Sequence, residues 1–98
     1  MKLINDFIEE IRDEVESAED YADDYIESKA RGNVPRAHKY REMALDELKH
    51  AENVRDFSIA DMESVRKVYT PTEEDLEHWS RELHKINDDI ATIRRMLD

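Results

Sequence analysis

The chain has 98 residues, of which 42% are charged, and a formal net charge of −11. It contains no cysteine, which excludes disulfides, zinc ribbons, iron–sulfur clusters and thiol catalysis and leaves only oxygen and nitrogen donors for any metal. Its acidity argues against direct binding to a nucleic acid backbone, and a single glycine with two prolines points to long helices joined by few turns.

The first predicted helix runs from about Ile4 to Ala30. Ile4, Phe7, Ile8, Ile11, Val15, Ala18, Ala22, Tyr25 and Ile26 form its apolar stripe. Asp6, Glu9, Asp13, Asp20, Asp23 and Asp24 project away from that stripe, whereas Glu14 and Glu19 lie at its opposite edges. Glu14 shares its side with Tyr21 and Tyr25, whose hydroxyls are available as hydrogen-bond partners. Either glutamate can turn inward, and the spacing alone does not choose between them. Arg31-Gly32-Asn33-Val34-Pro35 closes the helix with a basic turn and a glycine, then opens the next with a proline.

The second helix spans about Pro35 to Val68. Tyr40, Ala44, Ala51, Val54, Met62 and Val65 line one side of it, and Glu47 projects into the middle of that stripe. A carboxylate there loses hydration on packing and must be neutralised, paired or bound to a metal. His50 follows three residues later on nearly the same face, within one turn. Inward-facing Glu-x-x-His is the ligand pair of di-iron and di-manganese carboxylate bundles. His38 projects away from the stripe. Asp61 recurs on the Glu47 face two heptads on, about 21 Å along the axis, too far to share one ion.

Tyr69-Thr70-Pro71-Thr72-Glu73 is the second break. Thr70 is the expected cap, with Pro71 opening the helix and Glu73 reaching back. The third helix continues to about Leu97. Leu76, Trp79, Leu83, Ile86, Ile90, Ile93 and Leu97 alternate in threes and fours, a narrow seam for its own chain or for a second copy. His78 falls outside that seam and His84 at its edge. Short connections make consecutive helices antiparallel, so the chain reads as one all-α domain: a helical hairpin plus a third long helix.

The run Glu14-x6-Tyr21, Lys29-Ala30-x-Gly32, Ala37-x-x-Tyr40-x3-Ala44-x-x-Glu47-x-x-His50-Ala51 resembles the first half of the rubrerythrin and ferritin-like family. The resemblance covers about half the chain. It implies that Glu14, Glu47 and His50 are metal ligands and catalytic residues of half a di-iron centre, with Mn or Zn as other candidate ions. The third helix departs from the family, having no second Glu-x-x-His. A complete centre then calls for two copies about a two-fold axis, forming a four-helix ferritin-like bundle on homodimerisation. Encapsulated ferritins offer the likeness of a half-length chain of this kind, although no shell-targeting extension is evident. The implied activity is ferroxidase-type oxidation of iron at a site shared between subunits.

A second class stays open: a non-catalytic acidic helical interaction protein. In it Glu47 pairs with a base such as Arg55 or Arg81, and His50 completes a structural polar network. No apolar run reaches the length of a membrane span. Met1–Ile11 mixes charged and apolar residues, unlike a signal peptide, so the expected location is the cytoplasm or a compartment within it.

Overall fold

The computed structural model of the chain describes residues 2–98, Lys2 by its backbone only. Three helices follow one another: α1 (Lys2–Ala30), α2 (Val34–Val65) and α3 (Glu73–Met96). They form an elongated body of 53 × 19 × 18 Å.

The turn between α1 and α2 is set by Gly32, whose φ of +74° is the left-handed region that side chains with a Cβ avoid. The Asn33 amide donates to the Ser28 carbonyl at 2.9 Å and the Gly32 amide to the Lys29 carbonyl at 3.1 Å. That pair of bonds is a Schellman closure of α1. Asn33 then caps α2, its side-chain oxygen accepting from the Arg36 amide at 3.2 Å. The chain reverses within three residues, so α1 and α2 lie antiparallel and in register along most of their length.

The second break is longer than expected. α2 ends at Val65, and residues 66–69 continue only as turns, with Val68 91% exposed. The cap of α3 is Thr72 rather than Thr70. Its hydroxyl accepts from the Asp75 amide, and the Asp75 carboxylate accepts from the Thr72 amide, both at 3.1 Å. Thr72-x-x-Asp75 competes with Thr70-x-x-Glu73 for the same role, and it prevails with Pro71 buried before it. Acidic Glu73, Glu74 and Asp75 open α3 and basic Arg94 and Arg95 close it, matching the helix dipole at both ends.

The core is one continuous cluster. Ile4, Ile11, Leu48, Met62, Ile86, Ile93 and Leu97 are its largest fully buried side chains. Each is worth about 1.5–3 kcal/mol relative to exposure. From α2 come Ala37, Ala44, Leu48, Ala51 and Met62, so its buried face centres near Leu48. Glu47 therefore sits at the edge of the packed face, half-buried, not at its middle. The reason is that α2 packs against two neighbours, and α3 draws the buried arc round toward Leu45 and Leu48.

α3 lies along one flank of the α1–α2 hairpin. Phe7 meets Trp79 at 6.1 Å between ring centroids, and His78 Nε2 meets Asn5 Oδ1 at 3.0 Å, so the N-terminal ends of α1 and α3 coincide. His78 is thus half-buried against α1, not outside the packing. Further along, Arg12 reaches Glu82 at 2.5 Å, Arg55 donates to Asn87 at 2.9 Å, and Arg41 donates to the Leu97 carbonyl at 2.9 Å. Arg94 pairs with Glu52. No described helix is long and apolar enough to cross a membrane.

Candidate metal centre

Glu14 and Arg12 project to opposite sides of α1, about 200° apart, as do His50 and Glu52 on α2. Since Arg12 and Glu52 both pair with α3, Glu14 and His50 face the flank that α3 leaves open. Glu47 joins them there. In the antiparallel hairpin Glu14 falls opposite the Glu47–His50 turn, and His50 Nδ1 lies 2.9 Å from Glu14 Oε2.

One donor atom from each of Glu14, Glu47 and His50 lies within 4.8 Å of the others. The Glu14 and His50 side chains are 27% and 59% exposed, so the group is backed by the hairpin and open outward. Burial pushes the Glu47 carboxyl above its usual range, and a hydrogen bond and the charge of neighbouring Glu14 push it further. Asp46 acts in the same direction, and His50 opposes it. The physical picture is a partly buried carboxyl next to a second carboxylate, an environment that favours the neutral form of Glu47 more than water does.

The donor set suits a divalent first-row cation. Adjacent donors bound at about 2.1 Å from an ion stand about 3 Å apart, as Glu14 and His50 already do, so Glu47 would have to draw in toward them. Three protein donors leave coordination positions open.

Glu19 is exposed and stands outside this group. Asp61 is half-buried on the same flank but is not among the converging donors. His38 pairs with Glu42 at 3.1 Å and His84 with Asp88 at 3.5 Å, each one turn along its own exposed helix face. Arg55 is committed to Asp56 and Asn87, so it does not neutralise Glu47, and Arg81 is exposed. Tyr21 and Tyr40, one heptad from Glu14 and Glu47 respectively, stack at 6.5 Å between centroids. Among the described residues neither Tyr21 nor Tyr25 hydrogen-bonds the Glu–Glu–His group; Tyr25 is buried with Lys29 over its ring.

Comparison with known proteins gives no relative: no protein-family model matches the chain, and no curated protein or solved structure matches it.

Proposed function

We propose that the protein binds iron through Glu14, Glu47 and His50 and oxidises it at a di-iron site shared between two copies, a ferritin-like arrangement. The observation that carries this reading is the convergence of three donor atoms within 4.8 Å on the uncovered flank of the hairpin. The Glu-x-x-His spacing and the upstream glutamate add to it. Two such flanks apposed about a two-fold axis would supply four carboxylates and two imidazoles, since each copy brings the same residues.

In this scheme iron is the substrate. Two Fe(II) ions give one electron each to dioxygen, which takes up two protons and leaves as hydrogen peroxide, with Fe(III) as the product. In it Glu14 and His50 exchange their mutual contact for bonds to the ion, and Glu47 binds it as a carboxylate. The partly shielded position of the donors strengthens their attraction for a cation relative to fully hydrated carboxylates.

The Glu14–His50 contact also favours a second reading. A 2.9 Å Glu14–His50 pair with Glu47 beside it is a local polar group that needs no ion, as a non-catalytic interaction protein would use. Alanine replacements separate the two. Under the metal reading, Glu14→Ala, Glu47→Ala and His50→Ala each lose bound Fe(II), measured anaerobically after gel filtration, while Glu19→Ala keeps it. Retention of iron by all three variants would overturn it.

A further inference from the structure

The turn between α1 and α2 reverses the charge of the rest of the molecule. Residues 28–41 carry five of the chain's 15 lysines and arginines and none of its 26 acids, so the remaining length is more acidic than the net −11 conveys. Lys29, Arg31, Arg36 and Lys39 are exposed, and Arg41 is half-buried. Two exposed apolar residues stand with them: Val34, 72% exposed at the reversal itself, and Ile26 near the end of α1.

Most of these cations are not neutralised. Arg36 donates to the Tyr40 hydroxyl at 3.3 Å and lies 5.5 Å from the centre of its ring. Arg41 donates to the Leu97 carbonyl, and Lys29 sits over the Tyr25 ring at 5.7 Å. Those partners are uncharged, and among the described residues Lys39 has no ion-pair or hydrogen-bond partner. Of the five, Arg31 is the one in an ion pair, with Glu27 at 2.7 Å, and both side chains are exposed, so solvent screens it. Asp24 and Glu27 share a shallow cleft with Arg31 and Arg36, and Glu42 is held by His38. With those three acids included, residues 24–42 still hold more cations than carboxylates.

We infer that the turn end docks on an anionic membrane surface, with Val34 entering the headgroup layer and Lys29, Arg31, Arg36 and Lys39 meeting the charged headgroups. An exposed apolar tip ringed by cations suits the boundary between headgroup and acyl chain, where both kinds of group are stabilised. The shape makes this compatible with the acidity of the whole. A body of 53 × 19 × 18 Å can stand end-on, with its tip at the surface and its acidic length away from it. At 1.5 Å per residue, the acids from Asp24 back to Asp13 begin about 9 Å behind the end of α1. That exceeds the Debye length of about 8 Å at physiological salt, so their repulsion is screened where the attraction of the tip is not. A nucleic acid strand running along the molecule would meet those acids instead. The turn lies about 24 Å from Glu14 along α1, beyond the flank that a second copy would cover, so docking there needs neither metal nor dimer.

The test is co-sedimentation with vesicles of equimolar phosphatidylserine and phosphatidylcholine, against vesicles of phosphatidylcholine alone. Saturable binding to the anionic vesicles, lost in high salt and absent with phosphatidylcholine, is expected. Lys29→Gln combined with Lys39→Gln should weaken it about twentyfold, at about fivefold per charge. Val34→Ser should weaken it by a smaller factor. Lys67→Gln combined with Arg81→Gln removes the same charge away from the turn and should leave binding nearly unchanged, with circular dichroism establishing that each variant is folded. No binding to anionic vesicles, equal binding to phosphatidylcholine, equal losses from the two double variants, or tighter binding of single-stranded RNA than of vesicles would each overturn the inference.

Discussion

The two flanks of the α1–α2 hairpin are built from the same kinds of residue and put them to opposite use. On the flank facing α3, acids and bases alternate across the interface: Arg12 meets Glu82, Arg94 meets Glu52, and Arg41 closes on the end of α3. On the other flank, among the described residues, Glu10, Glu14, Glu47 and Asp61 have no arginine or lysine partner, and His50 is the one basic group bonded to any of them. Phe57 stands exposed beside them. One side spends its charges on joining helices, and the other leaves them available to a ligand. That asymmetry favours a cation site on the open flank over one at the α3 interface.

Breaking the α3 flank should cost the most. Ile86→Ala removes a fully buried side chain and should lower unfolding free energy by about 2–5 kcal/mol in urea denaturation, from lost burial and the cavity left behind. Next is Gly32→Ala at the turn that puts Glu14 opposite His50. A Cβ there meets nothing within 4 Å, so the expected loss of about 1–2 kcal/mol comes from the left-handed backbone alone.

Arg12→Ala should cost less, about 0.2–1 kcal/mol, because its side chain is 37% exposed and solvent screens the pair. Its signature is in the pH dependence. The Arg12 hydrogen bond is the main cause that holds Glu82 below the usual carboxylate range. A depressed carboxyl contributes stability that is present above its unfolded pKa and fades as pH falls through the folded one. The wild-type protein should therefore lose this contribution in acid, and Arg12→Ala should flatten that limb of the stability curve.

Glu47→Gln sharpens the contrast from the other side, with the smallest effect on the fold and the opposite sign. A raised carboxyl pKa means the folded protein favours the protonated form, so stability is full below the unfolded pKa and declines as pH rises through the folded one. Gln mimics the protonated acid. Near neutral pH the variant should unfold at slightly higher urea than the metal-free wild type while losing iron binding. A variant less stable than the parent would mean that Glu47 serves the fold.

Much of the architecture is legible in the sequence because it depends on local chemistry. Gly32 before Asn33 and Pro35 marks the hairpin, and Trp79, Ile86, Ile90 and Ile93 mark the packed seam of α3. The spacing of Glu14, Glu47 and His50 also carries over, because a three-residue reversal fixes which turns of two antiparallel helices face each other. What periodicity could not supply is which flank α3 occupies. α2 has apolar residues over a wide arc, so its periodicity does not single out Leu48 as the centre and places Glu47 deeper than it lies. The Thr72 cap and the His78–Asn5 contact were obscured for a related reason: competing local patterns are decided by tertiary packing.

The most direct test of the central claim is native mass spectrometry of the wild-type protein during an anaerobic Fe(II) titration. A two-chain species carrying two irons, appearing as metal is added and converting to the ferric form on exposure to air, is the predicted result. A protein that stays metal-free at every Fe(II) concentration would contradict the account, leaving Glu14, Glu47 and His50 as a structural polar network.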